Sequence, residues 1–233
     1  FQQTNLMIKY SSKPILVAPF GLTLGGGCEI SLHANRIQAA AECYMGLVEL
    51  GVGLIPAAGG TKEMILRCSE QESGLNYLSK RIKTAFGIIA EGKVSQSALE
   101  ARSLGFLRST DQISINGDSL VSDSIKTILN MIDQGYNRPS TTDSIPVLGR
   151  PALSNLKLEM HQMLRGNYIS EYDLFLGTKL GYVLCGGDCQ SLQNVSEEYL
   201  LDLERECFLG LCGEIKSQER IKFMLKKGKP LRN

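Results

Sequence analysis

No run of about eighteen apolar residues occurs in the 233-residue chain, so it holds no membrane-spanning helix. Positive charge is not in surplus either: 25 Lys and Arg face 24 Asp and Glu, for a net charge of +1. The basic surface of a general nucleic-acid binder is therefore missing, and a small molecule or another protein is the expected ligand. No signal-peptide pattern opens the chain, and the seven cysteines form an odd set without a dense framework. Free thiols in a reducing, cytoplasmic compartment follow. Cys185, Cys189, Cys207 and Cys212 lack the two-residue knuckle of a structural zinc site, and neither His33 nor His161 lies near them in sequence, so no metal is expected.

What is present is a hydrophobic fraction of 43%, enough for one large domain or two small ones. The chain starts at Phe1, and "FQQTNLMIKYSSKP" reads as an amphipathic helix already in progress, with Leu6, Ile8 and Tyr10 among polar residues before Pro14. That start suggests a piece of a longer protein. Two short apolar runs, residues 15–18 and 36–41, suit buried strands of an α/β core, with a short helix between them over residues 28–34. Thr61, behind Gly59 and Gly60, stands where an N-cap belongs, ahead of a helix over Lys62–Cys68.

Beyond about residue 115 the pattern becomes helical. Asp118 or Ser119 caps a first segment that Gly135 ends, and residues 137–151, rich in Pro, Ser and Thr, read as a linker. Helices follow around Leu153–Leu164, after Ser170 up to Gly186, after Ser196 with Leu200, Leu203 and Leu211 inward, and after Ser217. Asn194-Val195-Ser196 spells a glycosylation sequon, but Ser196 reads better as a helix cap. The closing Lys226, Lys227, Lys229 and Arg232 suit a solvated helix end.

The chemistry lies in "GLTLGGGCEI", residues 21–30. A dinucleotide loop needs a third glycine where Ile30 stands, and the Walker Gly-Lys-Ser/Thr is missing. An amide donor fits better, since glycines let the backbone approach a ligand and helix-start amides point at an oxyanion. Glu29 follows the loop. Glu49 is the only charge between Cys43 and Thr61. A carboxyl group among apolar neighbours tends to a raised pKa and suits general acid work, and the two acids could share one water. The plainer readings are helix-dipole compensation for Glu29, a solvated edge for Glu49 and packing behind the glycine turn for Cys28.

Residues 13–64 resemble the central segment of the crotonase (enoyl-CoA hydratase) superfamily, in Lys13-Pro14, Gly25-Gly26-Gly27-Cys28-Glu29, Gly46, Glu49, and Ile55-Pro56 with Gly59-Gly60-Thr61. The resemblance implies that the Gly26 amide is one of two donors to a thioester oxygen. It implies that Glu29 activates water for attack at the β-carbon and that Glu49 exchanges a proton with the α-carbon. The reaction would be hydration of a trans-2-enoyl-CoA, with the coenzyme A thioester as substrate and no cofactor bound by this chain.

More loosely, "KVSQSALEARSLGFLR" (93–108), "LDLERECFLGL" (201–211) and "KGKPLRN" (227–233) are similar to the C-terminal part of bacterial multidomain 3-hydroxyacyl-CoA dehydrogenases of fatty-acid β-oxidation. That likeness implies an NAD-binding dehydrogenase part and an upstream crotonase half in the parent protein, both missing here; neither histidine lies in a motif matching the dehydrogenase part. The upstream half would supply the second oxyanion donor, and no matching loop occurs in the residues before Lys13. The fold expected is α/β, with a partial crotonase-like core over residues 1–112 and a helical C-terminal region over 113–233. A rival reading makes the chain a non-catalytic fragment whose helical tail packs against the dehydrogenase part or a second copy in a homo-oligomer. Another makes it an isomerase or thioester hydrolase on the same scaffold.

Overall fold

The computed structural model describes residues 1–67, 75–141 and 143–233. Among them, strand β1 (Leu16–Val17) pairs in parallel with β3 (Arg36–Ala40), which pairs in parallel with β5 (Gln112–Ser114). Strand β2 (Gly21–Leu24) pairs in parallel with β4 (Cys43–Gly46) in a separate sheet. The stretches 16–24 and 36–46 each pass from one sheet to the other, so they run side by side, with Leu16 opposite Arg36 and Gly21 opposite Cys43. Parallel neighbours need a crossover. Helix α2 (Gly26–His33) provides it and carries Glu29 in its first turn. Strand β3 is buried at every position after Arg36, including the polar Gln38, whose amide donates to the Ser114 hydroxyl at 2.9 Å.

Helix α1 (Gln2–Lys9) departs from its apolar stripe: its buried residues are Gln2 and Asn5, whereas Met7 is exposed. Those amides make specific bonds, Gln2 donating to the Leu201 carbonyl and Asn5 to the Ala58 carbonyl, both at 2.8 Å. A buried side chain that satisfies a carbonyl can displace an apolar one from the inner face.

Helix α3 (Gly60–Arg67) begins earlier than its sequence suggests, so Thr61 lies inside the helix and is not its cap. Cys68, at the end of that expected helix, lies outside the described residues. Helices α4 (Leu75–Ala90), α5 (Ala98–Ser103) and α6 (Leu120–Asp133) follow. The stretch read as a linker holds strand β6 (Ile145–Val147) and the start of α7 (Gly149–Arg165). Strand β6 pairs antiparallel with β7 (Gln193–Val195), so the tail is not purely helical.

Ser170 caps α8 (Glu171–Leu184) in a reciprocal box with Asp173, and Ser196 caps α9 (Glu197–Gly213) by accepting from the Tyr199 amide. Ser217 does not open α10 (Ile215–Lys227); it lies buried within it. Helices α8 and α9 pack on α3, and α8 also packs on α4, in one apolar cluster that runs from Cys28 through Met64 and Leu176 to Leu211. No helix among the described residues is long and apolar enough to cross a membrane.

Candidate active site

The glycine turn ends β2 at Gly25, whose φ of +55° suits glycine, and its amide donates to the Gly46 carbonyl at 2.9 Å. The first helical bond of α2 runs from the Glu29 amide to the Gly25 carbonyl, at 2.9 Å. The amides of Gly26, Gly27 and Cys28 thus have no partner within their own helix. The Phe1 ring lies over Gly26, with Cε1 3.0 Å from where a Cβ there would stand.

Glu29 is 3% exposed. Its Oε1 accepts from the amides of Ala58, at 2.8 Å, and Gly60, at 2.9 Å, in the turn leading into α3. Burial raises its pKa, while those amides favour the charged form. A Cβ on Gly60 would lie 2.8 Å from Glu29 Oε1, so a larger residue there would displace the acid.

Glu49 opens the single-turn 3-10 helix Glu49–Val52 and leans against Gly25, its Oε1 3.3 Å from where a Gly25 Cβ would be. Its Oε2 is buried without a hydrogen-bond partner among the described residues. Burial, and then the charge of Glu29, push its pKa up to about 8. The structure therefore brings Glu29, Glu49 and the Gly26 turn together at the start of α2, with the acids in unlike environments: one oxygen of Glu29 is held by two amides, and one oxygen of Glu49 by none.

A further acid, Glu204 of α9, adjoins them, fully buried, accepting from the Gly59 amide at 2.6 Å and the Thr61 amide at 3.1 Å. Burial and Glu29 push its pKa up to about 7. Glu204 was not singled out from the sequence, although a signal exists. It falls on the apolar stripe of Leu200, Leu203, Cys207 and Leu211, where a charge is out of place unless it has buried partners.

Behind the site, Lys9 and Lys62 each bridge Glu63 and Glu197 at 2.6–2.8 Å. His33 donates from Nδ1 to the Glu29 carbonyl at 2.7 Å, which leaves Nε2 to accept from Lys62 at 3.0 Å. Burial pushes its pKa down to about 4 and keeps the ring neutral.

No protein-family model matches the chain. Its whole length is 49% identical over 233 residues to a Bacillus subtilis protein described as "Probable 3-hydroxyacyl-CoA dehydrogenase", and spans 29% of that protein. Over 80 residues it is 32% identical to the 2,3-dehydroadipyl-CoA hydratase of Escherichia coli, covering 34% of this chain and 29% of that one. The crystal structure of an enoyl-CoA hydratase/isomerase from Pseudoalteromonas atlantica superposes with a TM-score of 0.57 over 98% of this chain and 68% of the other, at 16% identity.

Proposed function

From the crotonase fold that this chain adopts, we propose that it carries the hydratase acids of a fatty-acid β-oxidation enzyme, with Glu29 as general base, Glu49 as general acid and the Gly26 amide as an oxyanion donor. One observation carries this reading: a buried and a partly buried carboxyl group meet beside a glycine turn in unlike hydrogen-bonding states. Burial raises both acids, but amides offset it at Glu29 whereas the charge of Glu29 adds to it at Glu49, and that difference assigns base and acid.

Glu29, whose charge the Ala58 and Gly60 amides favour, takes a proton from water as its oxygen bonds to the β-carbon of a trans-2-enoyl-CoA. The π electrons move through the α-carbon to the thioester oxygen, where the Gly26 amide meets the developing charge. Glu49, protonated below about pH 8, gives its proton to the α-carbon, and the product is a 3-hydroxyacyl-CoA. Return of a proton from Glu29 to Glu49 through water resets the pair.

The longer relatives extend the proposal. In a protein like the Bacillus subtilis relative, this region would hand its product to a dehydrogenase part that oxidises the hydroxyl with NAD. NAD has no fitting loop on this chain, since Ile30 stands where the third glycine would be.

Hydration of a short trans-2-enoyl-CoA by the purified chain tests the proposal, followed by loss of the conjugated thioester absorbance. Turnover should fall about a hundredfold or more in Glu29→Gln and in Glu49→Gln. Turnover that neither change affects, or a folded chain with none, overturns the reading. A folded, inactive chain would instead favour a packing role for α8 to α10.

A further inference from the structure

Glu204 is the buried acid that the proposed reaction leaves without a task. It is 0% exposed and, among the described residues, ion-paired with no lysine: the nearby Lys62 is taken up by Glu63, Glu197 and His33. A fully buried carboxylate is costly unless something organises it. What organises it is backbone. The four consecutive amides of Ala58, Gly59, Gly60 and Thr61 donate in alternation, to Glu29 at 2.8 Å, to Glu204 at 2.6 Å, to Glu29 at 2.9 Å and to Glu204 at 3.1 Å. The Thr61 hydroxyl donates to Glu204 Oε2 as well.

The turn is thus held from opposite sides by carboxylates on two helices, α2 and α9. An amide cannot move toward one carboxylate without drawing its neighbours from the other. We propose that Glu204 is a positioning residue of the acid pair, fixing through the Ala58–Thr61 amides where Glu29 points. This rests on the reading of Glu29 and Glu49 as the acids of the reaction.

Several charged groups share the surroundings of Glu204. Glu29 faces it from α2, Lys62 from α3, and Cys207 lies one turn along α9; its charge also reaches Glu49 on the 3-10 helix. The His33 ring packs behind Gly59, 2.7 Å from where a Cβ would stand. Glu29 and Glu204 therefore favour the neutral form of Glu49, and Lys62 favours the charged form of each of those two.

Glutamine at position 204 keeps the shape and removes the charge. It offers one oxygen where the turn needs two, and its NH2 group faces an N–H of Gly59 or Thr61. Thr61→Val removes only the hydroxyl, which leaves Glu204 easier to protonate and so nearer to neutral.

The test is a carbon-13 carboxyl NMR titration of Glu29 and Glu49 in the full chain, in Glu204→Gln and in Thr61→Val, alongside kcat and KM for a short trans-2-enoyl-CoA. The Glu49 midpoint should move to lower pH in both variants. In Glu204→Gln, kcat should fall about tenfold or more at nearly constant KM, and the alkaline limb of its pH profile should move down with the midpoint. Unmoved midpoints for both acids overturn the proposal, as does an unchanged kcat in active protein. If Glu204→Gln does not fold, the midpoints of both acids in Thr61→Val decide by the same rule. Shifted midpoints in a chain that hydrates nothing would refute the hydratase reading and leave the positioning intact.

Discussion

Glu49 binds its proton more tightly in the folded chain than in the unfolded one, because burial and the Glu29 charge raise its pKa from the ordinary 4.5 to about 8. Its contribution to stability is therefore fully present below about pH 4.5 and is lost as pH rises toward 8. Glu49→Gln removes that loss, so the variant should be more stable than the parent at pH 8 by about 1–3 kcal/mol, with the gap closing near pH 4.5. Urea unfolding at the two pH values measures it, and a gap that does not depend on pH would refute the burial argument. Proposed turnover follows the same proton and should decline above about pH 8. A second residue-scale prediction concerns Gly60→Ala. The new Cβ would lie 2.8 Å from Glu29 Oε1 and 3.0 Å from its Cγ. The acid must swing away, so turnover should drop about a hundredfold while KM changes little; retained kcat would show that Glu29 does not need this placement. Glu29 and Glu49 are legible in the sequence because glycine and apolar residues surround them. Glu204 is less so, because its place on the apolar stripe of "LDLERECF" says that the charge is buried without saying beside what.

Hydroxyls at helix starts show how far an element can be read locally. Ser170 and Ser196 cap the helices their positions suggest. Thr61 and Ser217 carry the same local signal but serve other elements, and only tertiary contacts reveal which. Ser217 donates to the Gly53 carbonyl and touches the Tyr172 hydroxyl at 2.7 Å, while Arg220, one turn on, bridges Asp173 at 2.8 Å and lies 5.1 Å from the centre of the Tyr172 ring. Helix α10 thereby holds the loop just beyond Glu49. Ser217→Ala should cost about 1–3 kcal/mol, since it leaves buried polar partners unmatched. Glu214→Ala, at an N-cap whose side chain makes no capping bond, should stay within about 0.5 kcal/mol. Denaturant midpoints for the pair separate the two roles, and the reverse order would make Glu214 a working cap and the Ser217 bonds dispensable. Strands β4 to β7, each of three or four residues, were not singled out for a related reason. Runs that short show no period, and their pairing is set by partners far along the chain.

At the scale of the molecule, the change of sequence style near residue 112 marks composition, and apolar stripes after it state that a face is buried without saying against what. The helices were therefore legible and their docking was not. Helices α8 and α9 dock through the site: the apolar cluster runs from Cys28 to Leu211, and Lys9 on α1, Lys62 and Glu63 on α3 and Glu197 on α9 close a ring of buried ion pairs. Glu63 shows how tightly the ring is drawn, since burial alone would raise its pKa, yet Lys62 and Lys9 hold it well below the usual carboxylate range. Removing one member of such a ring leaves buried charge without a full complement, and Lys62→Met should cost about 3–5 kcal/mol. Because the ring joins α1 and α3 to α9, that cost should fall on the whole chain together. Unfolding followed by far-UV circular dichroism and by resolved methyl NMR signals from Ile37 and Leu180 should give one coincident transition, displaced as a unit in Lys62→Met. Two separate transitions, with the Leu180 signal unmoved by the substitution, would mean that the helical region after residue 112 holds together by itself and that the ring of charges does not couple it to the acids.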